Sequence, residues 1–280
     1  MSDLISVDEL LKELQEDNLV VFDCRFSLMD SEAGRTAYQA GHIPAAIYVD
    51  LNKQLSSPHF PGVTGRHPLP AKNDWIKQVQ QWGITPNCKV VVYDDLGGVF
   101  ASRMWWMLGW IGHVDAAVLN GGWQAWLQAG GESETQLPSA REESDYDYSA
   151  LPAISLTIDV AEVDSSKQLL LDAREEKRFL GEMEPIDPIA GHIPGAVCSP
   201  TSGNLDTNGE LKSVAELREK FAPALAADQK QVVCYCGSGV SAAHNILAMR
   251  VAGLEEPKLY VGSWSEWVTD SSRSIATKDD

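Results

Sequence analysis

The chain has 280 residues, enough for two ordinary domains with separate cores, although length alone also permits one large domain. Its 22 Lys+Arg against 40 Asp+Glu give a formal net charge of −18, which disfavours nucleic acid and anionic membrane surfaces as partners. No apolar run approaches the ~20 residues of a membrane span, the opening residues lack a basic and apolar secretory signal, and five cysteines are an odd number that reads as reduced thiols; a cytoplasmic protein is expected.

Ser6-Val7-Asp8-Glu9 has the form of a capping box, and Val7, Leu10, Leu11 and Leu14 continue at helical spacing, predicting a short helix over about 7–15. Leu19-Val20-Val21-Phe22 ending in Asp23 reads as a buried strand. Gly41-His42-Ile43-Pro44 is a turn before a second apolar run, Ile47-Tyr48-Val49, and Trp75, Val79 and Trp82 mark a helix before Gly83. Lys89-Val90-Val91-Val92-Tyr93 is another strand, followed by the loop Asp94–Gly98, a helix through Arg103 and Trp106, a short strand at Ala117–Leu119, and Asn120-Gly121-Gly122-Trp123. Nearly unbroken apolar strands alternating with helices predict a mainly parallel sheet covered by helices on both faces.

The same order then recurs. Leu169-Leu170-Leu171-Asp172 echoes Val20-Val21-Phe22-Asp23, and Gly191-His192-Ile193-Pro194 echoes Gly41-His42-Ile43-Pro44, the two histidines lying 192 − 42 = 150 positions apart. Gln231–Tyr235 echoes Lys89–Tyr93, and Gly262-Ser263-Trp264 echoes Gly121-Gly122-Trp123. Two tandem copies of one α/β fold are the simplest account. The expected division is an N-terminal domain over 1–131, an exposed linker over 132–153, rich in Ser, Glu, Asp and Pro, and a C-terminal domain over 154–280 whose last ten residues form a strap or a frayed end.

Val232-Val233-Cys234-Tyr235-Cys236-Gly237-Ser238-Gly239-Val240-Ser241 reads as a strand, a thiol on a glycine-rich loop, and the start of a helix. Gly237 and Gly239 let the loop turn its N–H groups inward and approach a bound group closely, Ser238 adds a hydroxyl, and a sulfur so placed is a candidate nucleophile. Aligning Tyr93 with Tyr235 puts Asp94 opposite Cys236, so the first copy lacks the thiol and one active site per chain is expected. A thiol-based phosphatase or arsenate reductase needs an oxyanion-holding arginine six residues after the cysteine; here that residue is Ala242. Cys234 and Cys236 lack a second thiol pair at zinc-type spacing, so no metal site is read there and Cys234 is taken as a small strand residue.

These motifs, with Arg103-Met104-Trp105-Trp106 and Leu119-Asn120-Gly121-Gly122-Trp123, resemble the tandem-domain rhodanese-type sulfurtransferases, the family of thiosulfate and 3-mercaptopyruvate sulfurtransferases. The resemblance implies a silent N-terminal domain and a C-terminal one whose Cys236 takes a sulfane sulfur as persulfide and passes it to a thiol or cyanide. It also implies Ser238 as a catalytic partner and Gly237, Gly239, Val240, Ser241 and Arg178, in Arg178-Phe179-Leu180-Gly181, as donor-binding residues. His42 and Arg174 are secondary candidates for the site. No cofactor is implied; the partners are a small sulfur donor, its acceptor and a thioredoxin-like reductant. Mercaptopyruvate enzymes carry a further arginine nine residues after the first, where this chain has Asp187, while the neutral Cys-Gly-Ser-Gly-Val loop resembles theirs more than that of thiosulfate enzymes. Mercaptopyruvate is slightly favoured as donor.

Overall fold

The computed structural model describes residues 2–222, 226 and 231–278. The chain forms two compact units: residues 1–57, 69–155 and 207–211 make the first, and residues 58–68, 156–206 and 212–280 the second. Segment 58–68 thus belongs by packing to the second unit although it lies in the first half of the sequence.

In the first unit five strands, β1 (Leu4–Ile5), β2 (Leu19–Asp23), β3 (Ile47–Tyr48), β4 (Lys89–Tyr93) and β5 (Ala116–Leu119), form a sheet in the order β1-β5-β4-β2-β3. All pairings are parallel, with Val20 beside Val90 and Phe22 beside Val92. Winding runs from β2 out to β3 and then back across to β4, and since parallel crossovers keep one hand, the reversal places helices on both faces. Burial agrees: Val91 and Tyr93 pack with Val21, Leu10, Trp123 and Trp126 in one core, while the alternate residues Val90 and Val92 are equally inaccessible. This explains why the strands carry no polar alternation. Ser6 and Glu9 form the reciprocal capping box of the first helix, Val7–Glu13.

The second unit repeats the design. Its strands are β6 (Thr157–Ile158), β7 (Gln168–Asp172), β8 (Val197–Cys198), β9 (Gln231–Tyr235) and β10 (Lys258–Tyr260), ordered β6-β10-β9-β7-β8 and again all parallel. Val233 and Tyr235 point into a core with Leu170, Tyr260 and Trp264, and the intervening Cys234 is buried on the opposite face. Its thiol is pushed well up by burial, so Cys234 is a packing residue.

The copies share a buried polar frame. Asp23 takes Arg25 in a bidentate pair and Asp172 takes Arg174, each arginine also donating to a turn carbonyl, Gly41 or Gly191, at 2.7 Å. The guanidinium carbons lie 4.7 Å and 4.8 Å from the ring centres of Trp123 and Trp264. The two turn histidines are equivalent as well: His42 stacks on Tyr38 and His192 on Phe179, and each makes an isolated antiparallel bridge, to Glu134 and Ala276 respectively.

Residues 132–153 are largely exposed, as expected of a linker, but group with the first unit. Residues 132–153 are a strap on the first unit: Glu132 accepts from the Trp126 indole, Tyr146 from the Gln80 amide, and Tyr148 is fully buried. Polar composition conceals this because most contacts are made through the segment's backbone. The C-terminal segment is likewise a strap, holding His192 through Ala276 and Leu180 through Lys278; Asp279 and Asp280 lie outside the described residues.

Candidate active site

Strand β9 is central in its sheet, and the loop that leaves it opens at the carboxyl edge, beside the point where the winding reverses between β7 and β9. Cys236 is the first loop residue and is 2% exposed. Its backbone is fixed from below: its N–H donates to Ser263 Oγ at 3.0 Å, while the N–H groups of Trp264 and Ser265 donate to the carbonyls of Cys236 and Gly237 at 3.0 Å and 2.9 Å. The helix Ser263–Trp267 therefore holds the loop through its first N–H groups.

The sulfur faces inward, accepting from the N–H of Gly239 at 3.1 Å and lying 3.5 Å from that of Ser238. Burial alone would raise this thiol, but the Ser241 hydroxyl and the backbone N–H groups of Ser238 and Ala242 outweigh it, so the pKa lies below its ordinary value. Cys24 and Cys198, lacking such donors, go the other way, Cys198 up to about 12. Gly239 has φ +75°, and a Cβ there would meet the Val261 carbonyl oxygen at 2.3 Å, so the cradle requires glycine. Val240 and Ser238 are also buried.

Over Gly237 stand two guanidinium groups. A Cβ at Gly237 would lie 2.8 Å from Arg66 Nη2 and 3.5 Å from Arg178 Nη2. Asp187 bridges them, paired with Arg66 Nη1 through one oxygen and with Arg178 Nη2 at 3.1 Å through the other. Glu184 completes the cluster at 2.7 Å from Arg178 Nη2 and 3.0 Å from its Nε. On the serine side, His67 Nδ1 lies 2.8 Å from Ser238 Oγ.

Arg66 and His67 are the residues that sequence reading missed. Both ride on segment 58–68, which lacks helical or strand periodicity and lies 170 residues before Cys236 (236 − 66 = 170). The available signal was an arginine and a histidine between Gly65 and Pro68 in a stretch without another structural task. Gly65 lets this segment approach: a Cβ there would sit 2.5 Å from the Gly262 carbonyl oxygen, and the Arg66 N–H donates to Ser265 Oγ at 3.1 Å.

The structure thus gathers Cys236, Gly237, Ser238, Gly239, Val240, Ser241 and Arg178. It does not add the two secondary candidates. Arg174, a secondary candidate, is 3% exposed, and its guanidinium is taken up by Asp172, the Gly191 carbonyl and Glu184. His42 is fully buried in the first unit, its ring nitrogens 2.8 Å and 3.1 Å from the carbonyls of Tyr38 and Gln136. Both are parts of the repeated turn, which is why each has a twin in the other copy.

The silent loop shows what replaces the thiol. Asp94 occupies the Cys236 position, its carbonyl accepting from Trp123 N–H at 2.8 Å as that of Cys236 accepts from Trp264. Its carboxylate fills the loop itself, taking the N–H groups of Leu96, Gly98, Phe100 and Ala101 at 2.7–2.9 Å. Among the described residues no group of three His, Cys, Asp or Glu side chains is arranged to hold a metal ion.

Comparison with known proteins agrees with this geometry. The family described as "Rhodanese-like domain" matches residues 6–129 and 160–270. A protein of Pseudomonas aeruginosa named "Probable 3-mercaptopyruvate sulfurtransferase" is 44% identical over 282 residues, covering 99% of this chain and 98% of its own. The thiosulfate sulfurtransferase of Rattus norvegicus is 32% identical over 259 residues, covering 89% of this chain and 85% of its own. The solved 3-mercaptopyruvate sulfurtransferase from Leishmania major superposes with a TM-score of 0.85 at 34% identity, over 95% of this chain and 74% of that one. The chain belongs to the rhodanese-like family, as a tandem-domain sulfurtransferase.

Proposed function

We propose that the protein moves a sulfur atom from 3-mercaptopyruvate, through a persulfide on Cys236, to a small thiol or cyanide. The observation that carries this reading is the Cys236 sulfur facing the Gly239 and Ser238 N–H groups, with Arg66 and Arg178 over the adjacent Gly237. In the first step the thiolate attacks the donor sulfur; the S–S bond forms as the carbon–sulfur bond breaks, and the electron pair leaves on carbon as the pyruvate enolate, which is protonated to pyruvate. The loop N–H groups stabilise the anionic sulfur as it moves outward by one bond. Ser238 Oγ, oriented by His67, hydrogen-bonds the donor and passes the donor thiol's proton to the enolate carbon, which leaves the persulfide anionic and needs no outside proton. In the second step the acceptor attacks the outer sulfur and Cys236 departs as thiolate.

The donor assignment draws on the neutral loop and on the relatives named for mercaptopyruvate. A thioredoxin-like dithiol is the protein acceptor that this chemistry would serve, and a reducing cytoplasm would suit the five free cysteines. No helix among the described residues is long and apolar enough to cross a membrane. The test is intact-mass measurement after donor exposure, followed by turnover with thiol or cyanide. The wild type is expected to gain one sulfur atom on Cys236 and release it to acceptor, and Cys236→Ser to do neither. A protein that loads sulfur without turning over would be a carrier and would overturn the enzymatic reading.

A further inference from the structure

The cation pair beside the nucleophile is already matched. Arg66 and Arg178 contribute two positive charges, and Asp187 and Glu184 return two negative ones, so the local sum is 2 − 2 = 0 before the Cys236 thiolate is counted. Both carboxylates are inaccessible, with side chains 2% and 4% exposed, so water screens them poorly. Nor is Asp187 loosely placed. Glu184 Oε1 accepts from the N–H groups of Ile186 and Asp187, both at 3.0 Å, which fixes the turn that aims Asp187 between the guanidinium groups.

We infer that Asp187 sets the charge class of the sulfur donor, making this a site for donors with a single negative charge and discriminating against dianions. The inference rests on the sulfur-transfer reading of Cys236. A donor carboxylate that reaches either guanidinium takes the sum from 0 to −1, a mismatch of one charge. A dianion such as thiosulfate takes it to −2, twice the mismatch, next to a thiolate. Because interaction with the local potential scales with ligand charge, removing the Asp187 charge helps a dianion about twice as much, in free energy, as a monoanion. Asp187 touches the guanidinium groups rather than the reacting sulfur and is a specificity-determining positioning residue.

The experiment measures kcat/KM for mercaptopyruvate and for thiosulfate with a common acceptor, in wild type, Asp187→Asn and Asp187→Glu, at low and high salt. Asp187→Asn is expected to raise the thiosulfate-to-mercaptopyruvate ratio roughly tenfold, with the gain shrinking as salt rises, and Asp187→Glu to return the ratio toward wild type. A ratio unchanged within about twofold in a folded Asp187→Asn protein overturns the inference, as does an equal loss for both donors that Asp187→Glu does not rescue. If Asp187→Asn fails to fold, competition on the wild type decides: inhibition by pyruvate but not by sulfate supports the inference, and equal or stronger inhibition by sulfate overturns it. Failure of the underlying reading is read separately, as turnover retained by Cys236→Ser or absence of sulfur uptake on Cys236 from either donor.

Discussion

Cys236 combines two properties that usually oppose each other, near-complete burial and a thiol pKa below its ordinary value, because the donors aimed at the sulfur outweigh its desolvation. With the Cys236 thiolate as the proposed nucleophile, kcat/KM is expected to rise with pH through the Cys236 pKa and level off above it. Ser241→Ala removes the donor that does most to lower that pKa, and should move the acidic limb to higher pH; the pH dependence of Cys236 alkylation measures it. Ser238 and His67, 2.8 Å apart, are expected to act as a unit. Each alanine variant is then expected to lose roughly 10²-fold in kcat, and the double variant little more than either one. Fully multiplicative losses in single-turnover persulfide formation would show that the two act separately.

At the scale of elements, the loop works because two glycines admit what side chains would exclude. Gly239→Ala forces a Cβ at positive φ against the Val261 carbonyl, so it should cost about 1–3 kcal/mol in urea unfolding and slow Cys236 alkylation by tilting the cradle. A normal midpoint with normal reactivity would contradict the close approach. The strands were legible because an all-parallel sheet buried on both faces writes itself as Val-Val-Val and Leu-Leu-Leu runs. The catalytic loop was legible because thiol, glycines and hydroxyl are contiguous. What could not be read were contacts made by backbone or across long separations: the strap at 132–153 is held in part through main-chain carbonyls, and Arg66 reaches Asp187 across 187 − 66 = 121 positions. Arg174 shows the converse, since its charge suggested a ligand contact while its place two residues after Asp172 commits it to that carboxylate.

On the scale of the whole molecule, the two units are near copies in strand order, turn histidines and Asp–Arg–Trp frame, yet their loops differ, and where the second unit has Cys236 the first has Asp94. The second unit is also discontinuous in sequence, drawing Arg66 and His67 from the first half of the chain. A boundary placed in the middle of the sequence therefore separates the nucleophile from two of its neighbours. Asp94 fills the silent loop with a carboxylate supplied by the chain itself, and all four of its contacts are internal N–H groups. The consequence is one of stoichiometry: with Asp94 in place of a thiol, the first unit's loop offers a sulfur atom no second station, and one sulfur per chain is expected in each cycle. Each turnover must end with an encounter with an outside acceptor, so the concentration and approach of that acceptor, rather than any relay between copies, govern how fast the loaded enzyme is emptied.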